Sequence, residues 1–204
     1  MFKFTTYVEW LWEVIKLHIL WIGYLVRGAV VLGFFPATTA VYAVARYWLK
    51  HGDTERVSVL FKKFYKENFK TSNYLGWIVL FASFIVCLNW FYIPYVEQML
   101  LKFVMYGIVI TFTFLLILTS LYVFPVIANY QLQLVHYVII GVKIGLTYFP
   151  YTILQVVLIT GLTMMYVRFP QLTLIFGIVP ITFVQMYICN HVFRRLNHEQ
   201  ISTT

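Results

Sequence analysis

The sequence predicts an all-α protein, a polytopic transmembrane helical bundle that forms a single integral membrane domain over residues 1–204. Its composition is 62% hydrophobic and only 11% charged, whereas soluble domains carry about 25% charged residues. Several uncharged stretches reach the roughly 20 apolar residues that cross a bilayer. The basic residues cluster between Arg46 and Lys70, as topology determinants do. We therefore predict about five spans, with a basic amphipathic cytoplasmic helix between the first two.

The first predicted span covers approximately residues 17–35, where Arg27 is the only charged residue. Gly33 and Pro36 end it, because proline disfavours helix in the residue before it but fits the first turn of a new helix. A second, short helix should then run over residues 37–50. Another interpretation places the span at residues 28–45, with Arg27 at its edge. The two interpretations share one topology but give Arg27 very different environments.

Arg27 is the most prominent single candidate. An arginine in the middle of a span usually faces the bundle interior, a cavity or a paired acid. Arg27 is therefore expected to have one of four roles. It contacts an anion or substrate, forms an ion pair that gates a path, forms a structural ion pair, or anchors the span at its boundary. Nearby, the small residues Gly33, Ala37, Thr38 and Ala40 form a patch that permits close contact between helices.

The basic segment 46–70 contains the pattern of an amphipathic helix. Val57, Leu60, Phe61 and Phe64 recur at helical spacing, and lysines occupy much of the remaining surface. Such a helix suits the anionic cytoplasmic leaflet of a membrane. The segment is either a docking surface for a cytoplasmic partner or a connector that lies on the membrane.

Further uncharged runs predict the remaining spans at approximately residues 75–95, 103–126, 146–167 and 170–191. Pro180, with Gly177 nearby, should kink the last of them. Before the fourth span, residues 131–146 mix polar and apolar side chains as an interfacial helix would. Cys87 and Cys189 each lie in an apolar run, which predicts packing residues and no disulfide.

The basic residues also predict the orientation. With five spans, ten Lys and Arg residues fall on the side of the main basic loop and four on the other side, with Arg27 left out. The positive-inside rule then places the N-terminus outside and the C-terminus in the cytoplasm.

Polar residues inside the predicted spans have structural roles by expectation. Asn89, Gln155 and Gln185 should form hydrogen bonds between helices. Tyrosines near the span ends, among them Tyr122, are typical of an interfacial aromatic belt.

The sequence carries no catalytic signature. The five histidines include no pair three or four residues apart, so we expect no metal site, and nothing else predicts a cofactor. There is no Ser-His-Asp arrangement, phosphate-binding glycine loop or close pair of carboxylates in the spans. Acidic residues number only seven, and a coupled transporter normally needs one inside the membrane. We therefore expect no enzyme activity, and no nucleic acid as a partner.

The order of elements resembles the YesL-like family of bacterial membrane proteins, a family of unknown function. The resemblance rests on Gly33–Ala40 after the first apolar segment, then on Arg46–Leu49, and then on Asn68–Lys70 in the basic helix. Tyr122–Pro125 and Pro150 are similar as well. Two phenylalanines separate Gly33 from Pro36 here, a small departure from the family's turn.

The resemblance implies a multi-pass protein in the plasma membrane of a bacterium, often encoded near genes for carbohydrate uptake, with no established catalytic residues. It suggests a non-catalytic accessory to an ATP-driven carbohydrate transporter, in contact through segment 46–70 or the Gly33–Ala40 patch. The alternative is a small oligomeric channel or uniporter with Arg27 lining its path. The expected partners are the lipid bilayer, subunits of such a transporter, or a second copy of the chain. The candidate functional or packing residues are Arg27, Gly33, Pro36, Ala37, Thr38, Arg46, Asn68, Lys70 and Pro125.

Overall fold

The structure, a computed structural model, describes residues 4–51 and 55–202, with side chains over residues 9–51 and 55–196. The described chain is helical apart from its turns, which confirms the predicted all-α bundle. The helices are α1 (Phe4–Arg27), α2 (Phe34–His51), α3 (Val57–Tyr92), α4 (Met99–Asn129), α5 (Leu134–Thr147), α6 (Phe149–Arg168), α7 (Pro170–Phe176) and α8 (Val179–Ser202). A single 3₁₀ turn, Ile93–Tyr95, follows α3.

Three helices in the described ranges are long and apolar enough to cross a bilayer, namely α3 with its 3₁₀ turn, α4 and α6. A fourth crossing results if α7 and α8, which meet at an angle of 70°, form one broken span. The predicted spans at residues 75–95 and 103–126 lie within the first two of these helices. The predicted span at residues 146–167 loses its first residues to a break at Tyr148 and otherwise lies in α6.

The first predicted span, residues 17–35, is wrong as a continuous helix. Helix α1 ends at Arg27, and residues 28–33 form a turn in which Ala29 and Val30 have left-handed backbone, with φ of 52° and 64°. The alternative span at residues 28–45 fails for the same reason. The chain can turn here because Gly33 packs on the end of α1, where a Cβ atom would lie 2.5 Å from the Leu25 carbonyl oxygen.

Helix α2 is the central helix of the bundle. It begins at Phe34, three residues before the predicted start, so that Pro36 lies in its first turn as expected. Every residue from Phe35 to Ala45 is buried. The helix packs most extensively against α3 and also contacts α1, α4 and α8. Its many alanines and threonines permit these close contacts.

Of the predicted segment 46–70, residues 46–51 belong to α2 and residues 52–54 lie outside the described residues. Residues 57–70 are amphipathic as predicted, but they are not a separate helix. Val57, Leu60 and Phe61 are buried in a cluster with residues of α1 and α2, while the lysines face outwards. Helix α3 then continues without interruption to Tyr92. The lysine-rich half of α3 and its apolar half are therefore one rigid rod, about 54 Å long at 1.5 Å per residue.

The second half of α3 and the first half of α4 form a hairpin whose outer faces are open. Trp90 Nε1 donates to Thr113 Oγ1 at 3.0 Å across the hairpin. Large apolar side chains such as Phe81, Phe91 and Leu100 are exposed there, Leu100 by 81%. So much contiguous apolar surface is compatible with a lipid environment and not with water, which agrees with a membrane protein.

The predicted kink of the last span occurs at Gly177, three residues before Pro180. Gly177 has φ +52°, and a Cβ atom there would overlap Cε1 of His18 in α1. The buried His18 ring, stacked on Trp21, thus fills the space that the glycine leaves. The sequence pattern indicated the bend but not this contact of Gly177 with α1.

Candidate functional site

The predicted small-residue patch holds α2 against its neighbours. Thr38 Oγ1 donates to the Phe34 carbonyl oxygen at 2.7 Å and accepts from Trp21 Nε1 of α1 at 3.3 Å. Gly33, Pro36 and Ala37 are buried beside it. The predicted close helix contact is confirmed, and for the same reason this patch is not free to bind another protein.

Arg27 is exposed at the C-terminal end of α1. Its guanidinium carbon lies 5.9 Å from the centre of the Tyr24 ring. A cation at this end of a helix is stabilised by the helix dipole, so the environment is that of a boundary residue. Arg27 lines neither of the grooves on either side of the apolar half of α3. A channel lined by Arg27 stays a prediction without a structural path to support it.

Pro125 creates a hydrogen-bonding site inside α4. It has no amide hydrogen, so the carbonyl oxygen of Leu121, one turn earlier, lacks its usual helical donor. Gln185 of α8 replaces that donor, with Nε2 2.6 Å from the Leu121 oxygen. Its other amide atom, Oε1, accepts from the hydroxyl of Tyr42 in α2. The proline thus explains a buried polar connection among three helices.

Arg46 performs a related task one turn further along α2. Its Nη1 donates to the carbonyl oxygen of Ala128 at 2.5 Å. Ala128 lies in the last turn of α4, where carbonyls lack helical partners and a positive charge is favourable. Arg46 therefore caps α4, and with Pro125 it connects α2 to that helix.

A cluster of cations lies at the same end of α2. Partial burial lowers the pKa of Lys50, and repulsion from Arg46 and Arg194 lowers that pKa further. The structure thus brings α2 and α8 together with their positive charges facing one another. Like charges at close range cost free energy unless an anion or solvent offsets them.

The exposed face of the first half of α3 is strongly basic. Lys62, Lys63, Lys66 and Lys70 are all exposed there, and we call these four lysines the α3 basic face. Asn68, by contrast, directs Nδ2 to the carbonyl oxygen of Phe64 at 3.0 Å and is half-buried. The lysines are therefore available for contact, whereas Asn68 is engaged within its own helix.

The predicted polar residues divide into three cases. Gln185 connects helices as expected, whereas Asn89 donates to Ile85 within its own helix at 2.8 Å. Gln155 is fully buried in α6, and neither amide atom has a hydrogen-bond partner. Tyr122, expected in an interfacial belt, is instead fully buried and lies 2.8 Å from Thr152 Oγ1. Spacing along one helix could not reveal the contact of Tyr122, because it joins α4 to the first turn of α6.

Among residues 9–51 and 55–196, whose side chains the structure describes, no group of three His, Cys, Asp or Glu residues is close enough to hold a metal ion. The one ion pair within these ranges joins Lys16 Nζ to Glu13 Oε1 at 2.5 Å along α1. The candidate residues therefore form a packing and capping centre around α2, beside an unpaired basic face.

Comparison with known proteins relates part of this chain to a family. Residues 14–90 match the family described as "Protein of unknown function, DUF624". In Bacillus subtilis, YteU is 28% identical over 182 residues, which cover 89% of this chain and 81% of YteU. YesL of the same organism is 30% identical over 128 residues, or 63% of this chain and 59% of YesL. These matches give the chain a resemblance to the DUF624 family. The resemblance to the YesL-like proteins is thereby confirmed.

A third relative, YesV of Bacillus subtilis, is 30% identical over 119 residues and adds to the same resemblance. The alignments with YesL and YesV cover just over half the length of those proteins. All three relatives are described as uncharacterized proteins. No solved structure matches the chain.

The DUF624 match runs from α1 to nearly the end of α3. It therefore contains the α1–α2 turn, the buried helix α2 and the α3 basic face. Pro125, which lies in α4, falls outside the match. The matched residues thus include most of the packing around α2 and the helix that carries the lysines.

Proposed function

We propose that this protein is a non-catalytic accessory to carbohydrate uptake by an ATP-driven transporter in a bacterial plasma membrane. The observation that carries the proposal is the α3 basic face, four exposed lysines on a helix that continues into an apolar span. Because the two halves form one helix, a partner that binds the lysines is held at a fixed position relative to the membrane.

The identity of the partner is proposed from charge and from the family. Exposed lysines without acidic partners attract an acidic surface and speed its association. The role in carbohydrate uptake rests on the gene neighbourhoods that the family resemblance implies. The α3 basic face lies next to a span, which also supports a cytoplasmic location for the first half of α3. The predicted placement of the N-terminus outside stays a prediction, since the span on which it depended is divided.

The α3 basic face is the better of the two contact surfaces considered from the sequence. The Gly33–Ala40 patch is occupied by α1 and α3, and Thr39 Oγ1 lies 2.8 Å from Ser72 Oγ, which donates to it. A transporter could reach that patch only by displacing α1. The lysines, in contrast, need no rearrangement before contact.

Gentle detergent extraction followed by mass spectrometry tests the proposal. Wild-type protein should recover subunits of a carbohydrate transporter. The triple variant Lys62→Gln, Lys63→Gln, Lys66→Gln should recover at least about fivefold less, as three exposed charge pairs at a few tenths to 1 kcal/mol each would predict. Lys143→Gln with Arg168→Gln removes exposed charges elsewhere and should leave recovery unchanged. Recovery of the protein alone, with sugar uptake unchanged in a deletion strain, would contradict the proposal.

A further inference from the structure

An apolar groove runs along α3 across the junction between its basic and apolar halves. It has a volume of about 810 Å³. Lys70, Asn73 and Tyr74 line one end, and Trp77, Phe81 and Ile85 continue along its length. The groove therefore has a polar end, and the rest of its length is lined by aromatic and aliphatic side chains.

The polar end contains an amide with an unused acceptor. Asn73 Nδ2 donates to the carbonyl oxygens of Leu32 and Phe69, both at 3.0 Å. Because both partners are acceptors, they fix which side of the amide carries the nitrogen. Asn73 is only 9% exposed, and its Oδ1 is buried without a hydrogen-bond partner. A ligand donor reaches this atom only when the side chains around Asn73 move slightly, and the hydrogen bond then formed offsets the cost of an unsatisfied buried acceptor.

The same end carries an available positive charge. Lys70 is exposed and forms no ion pair in the part of the chain that the structure describes. Lys70 and Asn73 are three residues apart on α3, so the ammonium group and the asparagine amide lie on the same face of the helix, at the polar end of the groove. A ligand with an anionic group and a hydroxyl group next to it would satisfy both.

The length of the groove matches one leaflet of a bilayer. Lys70 and Ile85 are separated by fifteen residues of α3, or about 22 Å of helix. Half of a hydrocarbon core about 30 Å thick is about 15 Å, and the headgroup region accounts for the remainder. Tyr74 and Trp77 then lie where aromatic residues are enriched, at the boundary between headgroups and acyl chains.

We propose that this groove is a binding site for one anionic phospholipid with a hydroxylated headgroup, such as phosphatidylglycerol. The phosphate lies at Lys70, a headgroup hydroxyl donates to Asn73 Oδ1, and an acyl chain occupies the groove from Trp77 to Ile85. A transmembrane helix of another protein fits less well, because it would leave both Lys70 and the Asn73 acceptor without partners.

Native mass spectrometry of the protein released from nanodiscs tests this site. The nanodiscs contain equal amounts of phosphatidylglycerol and phosphatidylcholine. Wild-type protein should retain one phosphatidylglycerol in preference to phosphatidylcholine. Lys70→Gln should reduce that retention by about fivefold, the effect of one lysine at an anionic membrane surface. Lys62→Gln removes an equal charge from the same helix, outside the groove, and should not change retention.

A second variant tests the apolar part of the groove. Ala82→Trp fills the groove beside Phe81 and leaves Lys70 in place, so retention should again fall. Addition of inorganic phosphate distinguishes a lipid from a free anion and should not displace the lipid. Equal retention by wild type and Lys70→Gln would overturn the proposal. So would an equal loss in Lys62→Gln, unchanged retention in Ala82→Trp, or displacement by phosphate.

Discussion

At the scale of single residues, Lys50 is held where its charge is unfavourable. Partial burial, and then repulsion by Arg46 and Arg194, lower its pKa from the usual 10.5. Below the folded-state pKa the lysine is protonated in both the folded and unfolded states, so the full penalty opposes folding. The penalty falls as pH rises through the folded-state pKa towards 10.5, because the folded state releases its proton first.

Lys50→Gln should therefore stabilise the protein at pH 7. Because Lys50 is exposed, solvent screens most of this repulsion, and we expect the midpoint of thermal unfolding in detergent to rise by no more than about 1 °C. The advantage over wild type should shrink as the pH approaches 10. Lys62→Gln, on the α3 basic face, serves as the matched control and should show neither effect. A lower midpoint for Lys50→Gln at pH 7 would mean that the lysine stabilises the bundle through a contact of its own.

A second prediction at this scale concerns the contribution of the Gln185 hydrogen bonds to stability. Tyr42→Phe and Gln185→Leu should each lower stability, but their effects should not add. We expect a coupling of roughly 0.6–1.7 kcal/mol, between the average and the largest value measured between membrane helices. Unfolding in a denaturing detergent measures it in a double-mutant cycle. Tyr187→Phe, an exposed tyrosine on the same helix, should combine additively with Tyr42→Phe. An additive Tyr42–Gln185 pair would show that the connection contributes nothing beyond packing.

At the scale of elements, the α1–α2 hairpin was the least predictable part of the chain. The glycine and proline correctly indicated a break and a new helix with Pro36 in its first turn. They did not show that α1 would stop at Arg27, because the stop depends on Gly33 packing on Leu25 and on left-handed backbone at Ala29 and Val30. These are tertiary conditions, which hydrophobicity along the chain does not encode.

Gly33→Ala tests the close approach that forms this hairpin. The new Cβ would lie 2.5 Å from the Leu25 oxygen and 2.9 Å from the Tyr24 oxygen, so α2 must move away from α1. We expect a loss of about 1–3 kcal/mol, or several degrees in the midpoint of thermal unfolding.

Gly23→Ala is the matched control for that substitution. Gly23 lies inside α1, and nothing lies within 4 Å of a Cβ atom there. Because alanine is the better helix former, this variant should gain about 0.5–1 kcal/mol. Equal effects of the two substitutions would show that the turn is not closely packed at Gly33.

At the scale of the whole molecule, composition was sufficient to predict a helical membrane protein but not to predict how its helices pack together. Uncharged runs located α3, α4 and α6 because lipid requires long apolar helices. They could not show that α2, with its many small residues, would be the buried centre of the bundle. The structure also joins the predicted amphipathic segment to its span as one helix. This continuity fixes the position of the lysines relative to the membrane, on which the proposed function depends.

The candidate residues fall into two groups, those whose role local sequence indicated and those whose role depends on contact with another helix. The lysines of α3 were recognisable from helical spacing, because charge and periodicity are local properties. The roles of Arg46 and Pro125 were not, because each depends on a carbonyl of α4 that a different helix reaches. The sequence singled out Pro125 only through the family resemblance, and it did not indicate that Gln185 would replace the missing hydrogen bond.

Photo-crosslinking in living cells tests the central claim, that the α3 basic face contacts a transporter. A photo-reactive phenylalanine derivative is placed at Lys66, in the middle of that face. The same derivative at Tyr95, which is 82% exposed after the other end of α3, is the control. The account predicts an adduct with a subunit of a carbohydrate transporter from Lys66 and none from Tyr95. No protein adduct from Lys66, or the same adduct from both positions, would contradict it.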